Sequence, residues 1–186
     1  MDEGKERDLI ARAKHDPEAF GMLYRRYVKR IYNYHYRHTG NPGEAEDPTS
    51  RTFYRALRSM ERYHDRRVSF QAWLFRIAHN LVVNWYRDQS RRKTVPLEVE
   101  DLLANHEGPE ASVEGRERRE LLLQAIERLP EERKTLLVLK FTEQLSNTEI
   151  GAVLGKSEGA IKSLYHRTLL SLRTMLTEEA QNENPV

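Results

Sequence analysis

The chain of 186 residues is long enough for one domain or two small ones, and its 38% of hydrophobic residues can fill cores of that size. It contains no cysteine, which excludes a disulfide framework, a thiolate metal site and a thiol nucleophile. Charged residues make up 32% of the chain, yet the formal net charge is only +2, so any affinity for nucleic acid requires an uneven distribution of charge.

The charge is indeed distributed unevenly. Residues 51–93 contain eleven Lys or Arg against three acids, a net charge of +8. Residues 97–120 contain eight acids against three Arg, a net charge of −5. The N-terminus lacks the pattern of a secretion signal, and no apolar run approaches the roughly 20 residues of a membrane span. We therefore expect a cytoplasmic protein in which a basic block precedes an acidic one.

Apolar periodicity predicts two helices at the start of the chain. Residues 5–14 form a short amphipathic helix, and Asp16-Pro17 supplies an N-cap and a first-turn proline for a long helix that Thr39-Gly40 closes. The long helix carries an aromatic stripe, which we interpret as core rather than as a base-stacking platform. The stripe consists of Phe20, Leu23, Tyr24, Tyr27, Val28, Ile31 and Tyr34.

A third helix begins at Asn41-Pro42, which repeats the N-cap and proline signal. Pro48 lies inside it and predicts a kink, or a restart with Asp47 as N-cap, because an interior proline costs about 3 kcal/mol. We expect Phe53, Leu57 and Met60 to be buried. Four arginines are expected on the outer face, namely Arg51, Arg55, Arg58 and Arg62. Residues 63–68 are interpreted as a connecting loop.

Ser69 is the expected N-cap of a fourth helix, which runs towards the basic residues 91–93. Its apolar face is strongly periodic and comprises Phe70, Trp73, Leu74, Ile77, Leu81 and Trp85. Asn80 and Asn84 are four residues apart and share one side of this helix. They could grip a strand of nucleic acid together, although two merely exposed amides are the simpler interpretation.

Helical periodicity fails from Thr94 to about Gly115, where prolines and glycine occur among acids. This stretch is either a plain spacer or an acidic strap that imitates nucleic acid inside a basic channel, and composition does not separate the two. We therefore divide the chain into a first domain at 1–93, a linker at 94–115, a second domain at 116–178 and a disordered tail at 179–186.

The second domain is predicted to contain four helices. Residues 116–129 and 131–141 form the first two. Ser146 and Glu149 form a capping box for the third, which Gly155 ends in a left-handed conformation. Ser157 caps the fourth, with Ile161 and Leu164 inward. Its outward residues are polar and basic, namely Lys162, Ser163, His166 and Arg167.

The last two helices have the spacing of a helix-turn-helix, whose second helix enters the major groove. The alternative is a helical hairpin inside a core, with its charges merely solvated. An enzyme is disfavoured, since the chain has no HExxH, no glycine-rich phosphate loop and no nucleophile elbow. A metal site at His35 and His38 is also disfavoured against an ordinary exposed or half-buried pair. No catalytic residue, metal ligand or cofactor is predicted.

Two stretches resemble one family. Ala45-Glu-Asp47, Thr52-Phe53 and Ala56, followed by residues 70–80 (Phe-Gln-Ala-Trp-Leu-Phe-Arg-Ile-Ala-His-Asn), resemble region 2 of the extracytoplasmic-function class of bacterial sigma factors. Leu129-Pro-Glu-Glu-Arg133 and residues 145–163 resemble region 4 of that class. The order, the separation and the total length also match. The resemblance implies an all-α protein with two small helical domains joined by an acidic flexible linker.

The resemblance also implies site residues and partners. Region 2 would bind the β′ clamp helices of RNA polymerase through Glu46, Asp47, Ser50 and Phe53. It would hold the melted minus-ten strand with His64, Asp65, Trp73, Arg76, Asn80 and Asn84. Region 4 would bind the β flap and read the minus-thirty-five duplex with Ser157, Lys162, Ser163, His166 and Arg167. An anti-sigma factor and a role in a stress or envelope response are also implied.

The chain departs from the family pattern at four positions. Pro48 replaces a leucine, and Ser50 and Arg51 replace a Gln-Glu pair. Arg51 therefore puts a positive charge where the polymerase-facing surface usually has a negative one. Leu164 replaces an arginine, so one expected DNA contact is missing. Two alternatives stay open: a duplex-binding repressor with a helical sensor domain, and a degraded homologue that regulates through protein contacts alone.

Overall fold

A computed structural model of the chain describes residues 3–64, 68–89 and 113–182. These residues form α-helices with short 3-10 and π segments and contain no strand, which confirms the all-α prediction. No helix within these ranges is both long and apolar enough to cross a membrane. Asp65 and nearly all of the predicted linker lie outside the described residues.

The chain divides into two compact units, one that contains α1 to α4 and one that contains α5, α6, α8 and the first part of α7. In the first unit, the helices are α1 (Glu3–Arg12), α2 (Pro17–Thr39), α3 (Pro42–Ser59) and α4 (Phe70–Gln89), with a 3-10 turn at Met60–Arg62. In the second unit, they are α5 (Val113–Glu127), α6 (Glu131–Leu137), α7 (Asn147–Leu154) and α8 (Glu158–Asn182), with a π segment at Val138–Thr142.

The predicted helix starts of the first unit follow from their caps. The side chain of Asp16 accepts a hydrogen bond from the Glu18 amide, and that of Asn41 accepts from the amides of Gly43 and Glu44. The Ser69 hydroxyl accepts from the Ala72 amide at 3.2 Å. Because these side chains satisfy amides that have no partner inside the helix, α2, α3 and α4 each begin where the sequence predicts.

The core of the first unit lies between α2, α3 and α4. Its largest fully buried side chains include Tyr34, Phe75 and Ile31, and the rings of Tyr34 and Phe75 pack edge to face at 5.3 Å. The aromatic stripe of α2 is therefore mainly core, as predicted. Tyr24 is the exception, since 43% of it is exposed while its ring edge packs on Phe53 at 4.7 Å.

The structure corrects two expectations for α3. The helix runs unbroken through Pro48, so the predicted restart at Asp47 is wrong. The helix continues beyond the proline, where the Thr52 hydroxyl donates to the Pro48 carbonyl at 2.7 Å. Leu57 is 50% exposed instead of buried, because the buried positions of α3 follow one face through Thr49, Phe53 and Ala56, and Leu57 lies off that face.

The second unit contains the predicted helix pair. The Ser146 side chain accepts from the Glu149 amide while the Glu149 carboxylate accepts from the Ser146 amide, so the capping box is complete. Gly155 ends α7 at φ 68°, a left-handed conformation that glycine adopts without a steric penalty. The Ser157 hydroxyl accepts from the Ala160 amide at 3.2 Å and caps α8. All three local predictions are confirmed.

Candidate nucleic-acid interface

The turn between α7 and α8 depends on a close approach of two backbone segments. The Lys156 amide donates to the Gly151 carbonyl at 2.9 Å, and a Cβ at position 151 would lie 2.6 Å from the Lys156 carbonyl oxygen. Only glycine leaves room for this contact. The turn thus fixes the start of α8 relative to α7, as a helix-turn-helix requires.

The outward face of α8 carries the side chains predicted to meet duplex DNA. Lys162, Ser163, His166 and Arg167 are all exposed, and Ile161 is fully buried on the opposite face. Ser157 is exposed at the helix N-terminus. The structure therefore brings the five predicted residues together along the N-terminal half of one helix.

Leu164 does not belong to that face. Only 6% of its side chain is exposed, because it lies one turn after Ile161 on the buried side of α8. The expectation that leucine here removes a DNA contact is therefore not supported by its position. The departure from the family pattern changes the packing of α8 and leaves its exposed face intact.

Two acids accompany the lysines of this surface. Glu158 lies on α8 one turn before Lys162, and its Oε1 is 2.6 Å from the Lys162 Nζ. In the turn, the Lys156 Nζ lies 2.9 Å from Glu132 Oε1 of α6. His166 and Arg167 add polar and positive groups further along the helix, so charge of both signs meets any ligand at its N-terminal end.

A second polar face lies along α4 in the first unit. Arg76, Asn80 and Asn84 are exposed, and Trp73 is half-buried. The rings of Tyr63 and Phe70 lie 4.9 Å and 5.4 Å from the Trp73 ring and fix its position. Arg76, Asn80 and Asn84 follow one another at intervals of four residues, so they lie along one side of the helix, as predicted for Asn80 and Asn84. Trp73 lies one turn before Arg76.

His64 continues this region at the end of the 3-10 turn. It is exposed, and its Nδ1 lies 2.7 Å from the Arg62 carbonyl oxygen, which orients the ring. The Tyr63 hydroxyl donates to the Val68 carbonyl at 3.1 Å and ties the two ends of the loop together. Asp65, the remaining residue predicted for this face, is outside the described residues.

The surface of α3 predicted to bind the polymerase is only partly as expected. Glu46, Asp47 and Ser50 are exposed, but Phe53 is 5% exposed and packs against Tyr24, so it supports this surface from within. This burial confirms the expectation that Phe53 belongs to the buried stripe of α3. Arg51 stands where the family has an acidic residue, and its Nε lies 2.9 Å from Asp47 Oδ2. The arginine therefore forms an ion pair with a neighbouring acidic residue.

Sequence reasoning missed the apolar part of this α3 surface. Tyr54 is 60% exposed and Leu57 is 50% exposed. The Arg58 guanidinium lies over the Tyr54 ring and donates to its hydroxyl at 3.2 Å. The sequence signal was that Tyr54 lies off the buried stripe, where an aromatic residue has no packing role.

A cleft of about 630 Å³ separates the start of α3 from the end of α4. The Trp85 Nε1 donates to Glu44 Oε2 at 3.1 Å across it. The cleft is lined by residues of both charges, including Asp47, Arg51, Arg55 and Arg87. It therefore lies beside both the α3 surface and Asn84 of the α4 face.

The histidine pair of α2 is buried, and the expectation of an exposed or half-buried pair is wrong. The side chains of His35 and His38 are each 1% exposed. Burial lowers the pKa of His35 to about 3, and burial with nearby His79 lowers the pKa of His38 well below its usual value. The described ranges contain no cluster of three ligating side chains that could hold a metal.

The Sigma-70 region 2 family matches residues 23–92, and the Sigma-70 region 4 family matches residues 119–172. The ECF RNA polymerase sigma factor BldN of Streptomyces coelicolor is 36% identical over 182 residues, which cover 97% of this chain and 69% of BldN. The ECF RNA polymerase sigma factor SigW of Bacillus subtilis is 33% identical, with 89% of this chain and 92% of SigW covered. The chain belongs to the ECF RNA polymerase sigma factors.

Solved structures agree with this family fold. CnrH, in its complex with the cytosolic domain of CnrY, has a TM-score of 0.64 at 23% identity, with 92% of this chain and 97% of CnrH covered. The fold is therefore that of two helical sigma domains, as predicted.

Membership of the ECF sigma factors decides between a sigma factor and a duplex-binding repressor. The protein is a sigma factor, which acts with core RNA polymerase in promoter-specific initiation of transcription. The repressor alternative is not supported.

Proposed function

We propose that this sigma factor divides promoter recognition between the exposed faces of α8 and α4. The observation that carries the proposal is the separation of the two faces onto different compact units, each with a buried side that fixes its exposed side. The α8 face reads the upstream element as duplex, and the α4 face holds the melted minus-ten strand.

The α8 face suits a duplex. A helix entering the major groove presents its N-terminal half to base edges and its backbone amides to phosphates. Ser157, Lys162 and Ser163 occupy that half, and His166 and Arg167 follow one turn later. Lysine and arginine make the phosphate contacts that give affinity, while hydroxyl and imidazole groups are short enough to discriminate between bases.

The α4 face suits a single strand. Trp73 offers a half-buried aromatic surface that packs in one cluster with the rings of Tyr63 and Phe70, and a melted base stacks favourably on such a surface. Arg76 supplies a positive charge one turn away, and the amides of Asn80 and Asn84 pair with base edges or phosphates. His64 extends the face at the preceding loop, and the role of Asp65 stays a prediction of the family resemblance.

The polymerase is bound through the exposed side of α3. Glu46, Asp47 and Ser50 supply its polar part, and Tyr54 with Leu57 supplies an apolar part that would otherwise remain in water. Phe53 contributes by holding the helix in place from the core. An anti-sigma factor and a stress or envelope response stay predictions of the family resemblance. A cytoplasmic location and the absence of enzymatic activity stay predictions of the sequence patterns.

The decisive experiment reconstitutes this chain with core RNA polymerase and maps transcript 5′ ends on genomic DNA from the source bacterium. We expect a set of new start sites that share an upstream and a minus-ten sequence. Lys162→Ala with Arg167→Ala should abolish most of these transcripts without reducing binding to core. Glu127→Ala, on exposed α5, is the matched control and should leave the start sites unchanged.

The same assay contains the outcomes that would overturn the proposal. Start sites identical to those of core enzyme alone would show that the chain does not direct initiation. If the α8 double variant gave full transcription from every start site, duplex reading would have to be assigned to another surface.

A further inference from the structure

Glu158 connects the two helices of the helix-turn-helix. Its Oε2 accepts from the Thr148 hydroxyl of α7 at 2.8 Å, and its Oε1 pairs with the Lys162 ammonium of α8 at 2.6 Å. All three side chains are exposed. The sequence analysis did not select Glu158, because a charged residue in the first turn of a helix ordinarily serves the helix dipole.

The carboxylate is ionised at neutral pH. Hydrogen bonds from Lys162 and then from Thr148 lower the pKa of Glu158, and no burial opposes them strongly. The negative charge of Glu158 therefore compensates the positive charge of Lys162 at the leading end of α8. This compensation weakens the electrostatic attraction between the N-terminal end of α8 and the negatively charged DNA backbone.

The two charges have opposite relations to DNA. A phosphate attracts Lys162 and releases a counterion when it binds, but it repels Glu158. To reach a phosphate, Lys162 must leave Glu158, which then faces the backbone without a cation. A base edge offers a better partner, because a glutamate can accept a hydrogen bond from an amino group in the major groove, as with N4 of cytosine.

We propose that Glu158 is a specificity-determining residue of duplex recognition: it restrains Lys162 from sequence-independent phosphate binding, and a base amino group in the cognate element replaces Lys162 as its donor. When Lys162 turns to the backbone of a non-specific duplex, the carboxylate keeps only the Thr148 hydroxyl and faces the phosphates without a cation. The cognate element supplies the second donor, so the loss of affinity falls mainly on wrong sequences. This inference depends on the proposed role of α8 as the duplex reader.

The test compares the full-length chain with its Glu158→Gln variant on two labelled duplexes of equal length. One carries the upstream element found by transcript mapping, and the other carries the same bases in scrambled order. Dissociation constants are measured by fluorescence anisotropy over a series of salt concentrations. For Glu158→Gln, we expect several-fold tighter binding to the scrambled duplex, with a salt slope steeper by about 0.9 because one more phosphate is neutralised.

The affinity of Glu158→Gln for the cognate duplex should rise much less than its affinity for the scrambled duplex. The ratio of cognate to scrambled affinity therefore falls in the variant. Three controls locate the effect. Thr148→Ala removes the hydroxyl partner but keeps both charges, so its salt slope should match the wild type. Glu127→Gln removes the same charge from α5 and should leave the affinity ratio unchanged. In a Lys162→Gln background, Glu158→Gln should no longer steepen the slope.

The outcomes separate this inference from the proposed function. If Glu158→Gln weakens binding to both duplexes, the carboxylate positions Lys162 for contact, and the inference is wrong. An unchanged affinity ratio and salt slope would also overturn it while leaving α8 as the duplex reader. If the wild type distinguishes neither duplex and starts no transcript with core, both the inference and the proposed function fail. Circular dichroism melting confirms that each variant is folded.

Discussion

The buried histidines show how single residues couple this protein to pH. His35 Nε2 lies 3.0 Å from the Thr52 hydroxyl of α3, and His38 Nδ1 lies 3.4 Å from the Tyr86 hydroxyl of α4. On α4, His79 Nδ1 lies 3.0 Å from the Tyr34 hydroxyl of α2. These contacts join the three helices of the first core, and His35 and His38 take part as neutral imidazoles because a buried charged ring has no water to stabilise it.

The sign of the pH effect follows from the depressed pKa values. The unfolded chain binds a proton at His35 below about pH 6.5, whereas the folded protein does so only near pH 3. The contribution of neutral His35 to the free energy of unfolding is therefore fully present above pH 6.5, and it is lost as the pH is lowered towards 3. At pH 5 the loss from His35 alone is about 2 kcal/mol, since each pH unit between the two pKa values costs about 1.4 kcal/mol.

His35→Gln tests this coupling. Glutamine keeps a polar end group near Thr52 but does not titrate, so we expect a smaller drop in unfolding free energy between pH 7.5 and pH 5. The measurement is urea unfolding of the full chain at both pH values. His166→Gln, which removes an exposed histidine, should keep the wild-type drop. An undiminished drop in His35→Gln would rule out His35 as its source.

At the scale of elements, the helix-turn-helix depends on glycines with different roles. Gly151 permits the close approach to the Lys156 carbonyl, and Gly155 supplies the left-handed residue that ends α7. Gly159, in the first turn of α8, has open space around the position of a Cβ. The sequence predicted the role of Gly155 from its place after an apolar run, but the contact at Gly151 joins residues that only the folded turn brings together.

Gly151→Ala and Gly159→Ala form a matched pair. The first should destabilise the second unit by about 1–3 kcal/mol, because its methyl group meets a backbone oxygen that cannot move without opening the turn. The second should stabilise the unit by up to about 1 kcal/mol, since alanine is the better helix former. Thermal unfolding of the full chain measures both. Equal effects of the two substitutions would contradict the close-contact explanation.

At the scale of the whole molecule, the two faces that we propose to recognise the promoter belong to compact units with separate cores. The core of the first unit contains the aromatic side chains of Tyr34 and Phe75. The core of the second unit contains aliphatic side chains such as Leu136, Ile150 and Ile161. Substitutions of exposed residues on one unit leave the core of the other intact. We therefore expect substitutions on one face to leave binding by the other face unchanged.

Asn80→Ala with Asn84→Ala should therefore differ in effect from Lys162→Ala with Arg167→Ala. The α4 pair should reduce promoter melting by several-fold, seen as permanganate reactivity of unpaired thymines in the reconstituted complex, and leave binding to the upstream duplex unchanged. The α8 pair should weaken binding to that duplex and flatten its salt dependence. Loss of duplex binding in the α4 pair would contradict this division.

The sequence by itself determined the helices, their caps and the polar faces of α4 and α8. These features depend on neighbours within one turn, such as Ser146 with Glu149 or Asn80 with Asn84, and one helical period places their side chains. The sequence could also indicate which family the chain resembles, because the motifs are contiguous.

Only the tertiary structure decided the burial of residues whose surroundings come from other helices. Phe53 was predicted both as core and as part of the polymerase-facing surface, and packing against Tyr24 of α2 places it in the core, whereas Leu57 is exposed on the same helix. His35 and His38 became neutral because α3 and α4 exclude water from them. The hydrogen bond from the Thr148 hydroxyl to Glu158 joins residues ten positions apart across the turn. Each of these depends on distances between helices, which periodicity along a single helix does not specify.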